Sequence, residues 1–490
     1  MGIHLTNRGG GIGRVQVWVN GKEATTDARG NSRNPQAQRL DLPMDISKSP
    51  FLKAGQENTV EVRVFNAEGY LSSRGVTAVC KAPGEAPRVQ PSFWAIVAGI
   101  SDYAGQDIHL QYAAKDAADM AQALRLGAER LFRKEHTHIT LLTTAPAPGA
   151  LAPTRENLKK AFAEAARQAK NADILVVYLS GHGVNYGGQE ADYYYLTQEA
   201  RTGDLTDPAV RAQTAVSSRE LTEWIKQIPA LKQTLVLDTC AAARLVQKLA
   251  EKRDISSSQI RSLERMKDRM GLFILAGSAA DAVSYEASQY GQGLLTYSLL
   301  MGMRGGALKE DQFVDVSKWF DFAADEVPQL AKNIGGVQRP EKYQPCRLSE
   351  QTEQACGSSA SWDIGQLLGE DKARIHLATP RPMFLQSSFQ DEVQPRDQLK
   401  LTGLVNEALR DVSSRGQEPP LVYVDASEFP EAYTLAGRYR VEGNTVTARV
   451  SVFKGEKQVG NFTLTGEKGN LSKLTAEIVS QAQRSTTGPQ

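Results

Sequence analysis

The sequence predicts an α/β protein: a mostly parallel sheet with helices on both faces, flanked by a small all-β sandwich and a C-terminal α+β domain. Three observations carry this reading. Between Ser92 and Pro345, near-continuous apolar runs alternate with amphipathic segments, the pattern of strands covered on both sides by helices. Ahead of them, residues 1–86 alternate apolar and polar side chains with period two. Beyond residue 379, one helical stretch is followed by alternating runs and a second helix. A chain of 490 residues fits about three such domains.

In the first region, Arg14–Val19 sets Arg14, Gln16 and Trp18 against Val15, Val17 and Val19, then reaches Asn20-Gly21, a hairpin-turn pair. Asn58–Phe65 alternates again through Val60, Val62 and Val64. These strands predict an immunoglobulin-like β-sandwich over 1–86. A strand pattern this close to Met1 is expected to continue a longer polypeptide. The glycines of Gly9–Gly13 precede no helix, so they form a strand-entry loop and not a phosphate cradle.

The central region is expected over 87–345, after a Pro/Ala-rich linker. Its predicted strands are Phe93–Ile100, His138–Leu142, Asp173–Ser180, Thr234–Asp238 and Leu272–Ala276, with helices near Ala113–Leu126, Thr154–Ala169 and Ser217–Gln227. Ser217 with Glu220 is a capping-box signature. Two insertions interrupt the alternation: polar Val184–Asp192, before the aromatic run Tyr193–Tyr195, and Arg244–Met270, with eight basic residues against four acidic. Periodicity is lost over 346–379, which reads as a linker around Gly357-Ser358-Ser359. Residues 380–490 are predicted α+β, with a helix near Gln398–Val412. Strands follow at Leu421–Val424, Thr434–Val441, Thr445–Phe453 and Gln458–Thr465, and a last helix at Leu471–Gln483.

Composition excludes several classes. Lys and Arg number 57 against 56 Asp and Glu, a formal net charge of +1, so no polycationic nucleic-acid binder is expected. The longest apolar runs, such as Ile174–Leu179, fall far short of the roughly 18 residues of a membrane-spanning helix. Met1–Asn20 holds no apolar stretch of signal-peptide length, and a cytoplasmic location is expected. The four cysteines are Cys80, Cys240, Cys346 and Cys356. They contain no CxxC pair, so neither a disulfide framework nor a structural zinc site is predicted. Cys346 and Cys356 could pair in an oxidising compartment. Cys80 is expected to be a buried or half-buried thiol.

Ligands of such sheets gather at the carboxyl ends of the strands. There the sequence places Ser180-Gly181-His182-Gly183 after one strand and Asp238-Thr239-Cys240 after another. A free thiol is only a few per cent thiolate at neutral pH. His182 would take its proton as general base and return it to a leaving amine. The amides of Gly183 and Cys240 would form an oxyanion hole. The remaining histidines, His4, His109, His136, His138 and His376, are assigned no chemistry.

These motifs, with Ala95–Tyr103, Leu110–Ala117 and Gly271–Met303 in the same order, resemble the caspase–metacaspase clan of cysteine peptidases, bacterial versions included, over about Ser92–Pro345. The 58-residue step from His182 to Cys240 agrees with the caspase His-to-Cys separation of about 50. The resemblance implies a Cys–His endopeptidase of protein substrates that needs no cofactor. True caspases carry Gln two residues before the nucleophile; this chain has Asp238, and Asp116 falls where metacaspases carry a second carboxylate of the S1 pocket. Two carboxylates there imply cleavage after Arg or Lys and not after Asp. The basic insertion sits where this clan places its intersubunit linker, which implies self-cleavage at Arg244, Lys248, Lys252, Arg253, Arg261, Arg265, Lys267 or Arg269. The acidic cluster that binds calcium in many metacaspases is not evident after His182, where Glu190, Asp192, Asp204 and Asp207 occur, so no metal is expected.

Two other readings stay open. Ala241-Ala242-Ala243 replaces the small His-Ser-Gly turn usual after the nucleophile, which suits a catalytically silent interaction scaffold. A non-peptidase Cys–His hydrolase or transferase is the second. The flanks resemble the β-sandwich that precedes caspase-like domains in multidomain bacterial proteins and, through Tyr433–Val441, TolB amino-terminal-like domains. Recruitment of substrates or partners by these flanks is expected.

Overall fold

The computed structural model describes residues 1–85, 90–187, 192–241, 272–277, 289–333, 337–344, 361–394, 396–414, 419–427 and 432–486, with Cys240, Ala241 and Asn333 as backbone only. The chain forms two compact units. The first comprises Met1–Asp281, Ser298–Asp325 and Arg339–His376; the second comprises Ala282–Tyr297, Glu326–Gln338 and Leu377–Gln490.

The first unit opens with strands β1 (Gly2–Thr6), β2 (Val15–Val19), β3 (Lys22–Thr25), β4 (Arg39–Pro43), β5 (Glu57–Val64) and β6 (Val76–Lys81). They make a four-stranded sheet in the order β3-β2-β5-β6 and a β1-β4 pair. The alternating valines explain the packing: Val15, Val17, Val19 and Val60 share one core with Ile3, Leu42 and Phe51. Asn20 and Gly21 both take positive φ at the turn between β2 and β3, as a two-residue hairpin requires. Cys80 on β6 is a half-buried free thiol.

The main sheet follows. Its strands are β7 (Phe93–Gly99), β8 (Thr137–Thr143), β9 (Ile174–Tyr186), β10 (Asp192–Leu196), β11 (Ala215–Ser217), β12 (Lys232–Ala241), β13 (Phe273–Ala276) and, after β14 (Phe313–Asp315), β15 (Glu341–Tyr343). Strands β8, β7, β9, β12 and β13 run parallel, while β10, β11 and β15 are antiparallel additions. Alternation of side chains covers both faces. Ile96, Val177 and Leu235 pack with Phe162 of helix α2 (Arg155–Gln168) and Ile225 of α4 (Ser218–Lys226), which follows α3 (Pro208–Thr214). On the other face, Phe93 stacks on Phe132 of α1 (Ala113–Phe132) at 5.8 Å. The expected capping box is present: the Ser217 hydroxyl accepts from the Glu220 amide, and the Glu220 carboxylate accepts from the Ser217 amide. Helices α5 (Leu294–Met301) and α6 (Val316–Asn333) follow β13 in the chain.

Two expectations change. Strands β9 and β12 do not stop at Ser180 and Asp238; they stay paired through Gly183 and Ala241. The expected insertion after Val184 therefore begins as strand, because Gly183–Tyr186 pairs with Asp192–Tyr195 of β10. The segment expected as a linker over 346–379 is folded in its described part. It forms β16 (Asp363–Gln366), paired with β14, and helix α7 (Gly369–Arg374). Both dock on α1: Gly365 approaches Gly127 closely enough that a Cβ would meet its backbone at 2.9 Å, and Arg130 pairs with Asp371 at 2.5 Å. Cys346, Cys356 and the whole insertion Arg244–Met270 lie outside the described residues.

The small sheet is tied to the base of the main one. Lys22 Nζ donates to Gln233 Oε1 on β12 at 2.7 Å, Lys226 Nζ meets Glu23 Oε2 at 3.2 Å, and Asn171 Nδ2 donates to the Leu52 carbonyl at 2.6 Å. Leu231 packs on the small sheet's core.

The second unit holds β17 (Met383–Phe384), β18 (Ser388–Asp391), helix α8 (Leu401–Ser413), β19 (Val422–Tyr423), β20 (Tyr433–Glu442), β21 (Thr445–Lys454), β22 (Lys457–Glu467) and α9 (Leu471–Thr486). The long hairpins sit within a residue or two of expectation. The sheet order is β19-β17-β20-β21-β22, with β18 parallel to β20. Leu401, Val405 and Ile478 of the helices pack against Leu435, Tyr439 and Val450.

Candidate active site

The sheet register brings the two central motifs together. In the parallel pairing of β9 with β12, Ser180 faces Asp238, Gly181 faces Thr239, and His182 faces Cys240. Neighbouring strands lie about 4.8 Å apart, so the His182 and Cys240 backbones are direct neighbours. Asp238 is half-buried, and the Tyr178 hydroxyl donates to its Oδ2 at 3.4 Å.

His182 is 8% exposed and held from three directions. Its backbone N–H donates to the Tyr103 hydroxyl at 2.9 Å, the Tyr103 ring lies 5.1 Å from the imidazole, and Nε2 meets the Ile108 carbonyl at 2.8 Å. A carbonyl only accepts, so Nε2 carries the proton and Nδ1 keeps its lone pair. Nδ1 is buried without a hydrogen-bond partner among the described residues. Burial holds the imidazole below its usual range, opposed by the Ile108 hydrogen bond. The ring is therefore neutral at pH 7 with its acceptor nitrogen free of protein donors among the described residues.

The loop between β7 and α1 supplies these contacts and is itself anchored. Its Ala104 and Gly105 amides donate to the carbonyls of Gln198 and Ala200, Leu110 donates to Ser101, and His109 Nε2 donates to the Tyr103 carbonyl at 2.9 Å. The Ser101 hydroxyl caps α1 by accepting from the Ala114 amide. Asp116, in the first turn of α1, is 1% exposed. Gly99, in register with Ser180, abuts that turn: a Cβ would lie 2.2 Å from the Ala113 oxygen and 2.4 Å from Ala117 Cβ. Asp116 and Asp238 thus belong to the same end of the sheet.

Both glycines around His182 are required by tyrosines. Gly181 has φ +144, and a Cβ there would lie 2.6 Å from the Tyr103 hydroxyl; at Gly183 it would lie 2.5 Å from Tyr193 Cε2. The Tyr193 and Thr239 hydroxyls are hydrogen-bonded at 2.8 Å, and Tyr195 donates to the Ser180 carbonyl at 2.9 Å. The acidic residues after His182 have structural tasks. Asp192 pairs with Arg219 and accepts from Ser218, Asp204 accepts from the Thr206 amide, and Asp207 caps α3; Glu190 lies outside the described residues. So do the basic candidates Arg244, Lys248, Lys252, Arg253, Arg261, Arg265, Lys267 and Arg269.

Sequence reasoning missed Tyr103, Ile108, Tyr193 and Thr239. The Tyr193-Tyr194-Tyr195 run was a usable signal, since alternate residues of a strand put large side chains on both faces of the sheet. The Ile108 carbonyl left none, because any residue supplies a backbone acceptor.

A mostly parallel, helix-covered sheet with these motifs at the ends of its central strands is a caspase-like α/β fold. Residues 92–354 match the family model for the caspase domain. That is more than half of the chain, and the protein belongs to the caspase-domain family of cysteine peptidases. No curated protein matches the sequence. Among the described residues, no helix is long and apolar enough to cross a membrane.

Proposed function

We propose that the protein is a cysteine endopeptidase in which Cys240 is the nucleophile, His182 the general acid and base, and Arg or Lys the preferred residue before the cleaved bond. The observation that carries this is the fixed tautomer of His182: with Nε2–H spent on the Ile108 carbonyl, Nδ1 is the nitrogen left to accept a thiol proton, and Cys240 occupies the neighbouring position on β12. The thiolate would attack the scissile carbonyl carbon. The tetrahedral oxyanion would collapse to a thioester as His182 protonates the leaving amine, and water would release the acyl group. The amides of Gly183 and Cys240 would stabilise that oxyanion.

The basic preference rests on Asp116 and Asp238. Each charge-assisted hydrogen bond to a guanidinium contributes about 1.5–3 kcal/mol, so Asp238→Asn should lower kcat/KM for a P1-Arg peptide roughly 10- to 100-fold. Self-cleavage in the basic segment 244–270 follows from the same specificity, and the terminal regions would recruit substrates or partners. Mass-spectrometric mapping of cuts in a peptide library, with Cys240→Ala as control, tests the reading. Cuts after Arg or Lys that vanish in Cys240→Ala are expected, together with an uncut Cys240→Ala chain. Preferential cleavage after Asp would refute the specificity. No cuts, and no labelling of Cys240 by a thiol-reactive P1-Arg probe, would make the chain a silent scaffold.

A further inference from the structure

The strand-end arrangement leaves a mechanical problem. Among the described residues β9 and β12 pair through Gly183 and Ala241, so His182 and Cys240 lie one rung short of the end of the described ladder, and strand ends fray. A proton transfer between two side chains requires their separation held to within about 0.5 Å. Something beyond the ladder must hold these last rungs.

Tyr193 is placed to do it. It pairs with Asn185 in the hairpin of β9 with β10, and its ring crosses β9 at Gly183, where a Cβ would lie 2.5 Å from Cε2 and 2.8 Å from the hydroxyl. Beyond that glycine its hydroxyl meets Thr239 Oγ1 at 2.8 Å. The bond therefore spans from β10 to β12 over β9, and it reaches β12 one residue before Cys240. Tyr193 is 2% exposed and Thr239 3%, so water does not compete for either hydroxyl.

We propose that Tyr193 is a positioning residue for the reaction: through Thr239 it fixes the end of β12, and hence Cys240, against His182, and Gly183 lacks a side chain to let it pass. This rests on the Cys240–His182 reading above. Its described hydrogen bond goes to Thr239, so its effect is expected on kcat and on thiol reactivity while KM stays put.

The test uses the full chain and conservative changes. Tyr193→Phe keeps the ring and removes the hydroxyl; Thr239→Val removes the partner; Thr239→Ser retains it. Tyr193→Phe and Thr239→Val should each lower kcat on a P1-Arg peptide about 10- to 100-fold with KM within about 2-fold, and the double variant should be no worse than either single one. Thr239→Ser should recover most of the loss. In parallel, the rate of Cys240 alkylation by iodoacetamide is followed by mass spectrometry across pH, with Cys80 as internal reference. It should fall near pH 7 in Tyr193→Phe, as it should in His182→Ala. Additive losses, or alkylation of Tyr193→Phe indistinguishable from the parent protein, would overturn the proposal. A parent protein that cleaves no peptide yet shows His182-dependent and Tyr193-dependent alkylation would sink the peptidase reading and leave the positioning role standing.

Discussion

Lys22 offers a quantitative test of how the small sheet is joined to the peptidase fold. Its ammonium is buried, 1% exposed, and donates to the neutral amide oxygen of Gln233. Burial pushes it from 10.5 down to about 7. The folded chain therefore binds this proton less tightly than the unfolded chain. Above pH 10.5 the amine is neutral in both states and burial costs no charge. As pH falls toward 7, the unfolded state gains the proton first and folding loses stability, at up to 1.36 kcal/mol per unit. Across that window the loss reaches about 5 kcal/mol. Lys22→Met removes the charge and keeps the shape, at a cost of about 1–3 kcal/mol for the Gln233 oxygen left without its donor. Relative to the parent, the variant should gain about 2–4 kcal/mol at pH 7 and become the less stable of the two near pH 10. Urea unfolding followed by tryptophan fluorescence is the assay, because Trp18, Trp94, Trp224, Trp319 and Trp362 all belong to the first unit. A stability difference that does not change between pH 7 and pH 10 would refute the reasoning.

Two further outcomes follow from the site. Gly99→Ala places a Cβ 2.2 Å from the Ala113 carbonyl and 2.4 Å from Ala117 Cβ; neither can rotate away, so about 2–3 kcal/mol of stability should be lost, with KM for P1-Arg peptides raised as the Asp116 turn shifts, both read from urea unfolding and steady-state kinetics. Burial lowers the His182 imidazole, so the acid limb of kcat/KM should lie below pH 6.5. The folding stability this group contributes should be complete above 6.5 and decline below it; an acid limb centred above 6.5 would contradict that placement.

Much of the central sheet is legible in the sequence because its strands are buried on both faces, and continuous apolar runs such as Ile174–Leu179 leave few alternatives. The ends of those strands are not legible. Gly181-His182-Gly183 and Thr239-Cys240 carry no strand pattern of their own, and Tyr193 and Tyr195 of β10 hold contacts with them from across the sheet. Asp363–Arg374 was hidden for a related reason: one short strand and one short helix have too few residues to show a period, and their docking depends on Gly127 and Arg130, more than 200 residues earlier. His182 and Cys240 could be singled out by residue type and position. Tyr193 and the Ile108 carbonyl act through geometry that only the folded chain displays.

The junction between the small sheet and the main one also bears on how this peptidase can be cut down. The family match begins at residue 92, a tempting place to start a shorter chain. Such a chain would strip the cover from Leu231, leave the buried amide of Gln233 facing solvent, and take from Lys226 its carboxylate partner Glu23. Gln233 lies on β12, the strand that carries Cys240, Leu231 directly precedes it, and Lys226 ends the helix before it. The boundary of the recognisable sequence is not a boundary of the folded body, which takes in the small sheet as well.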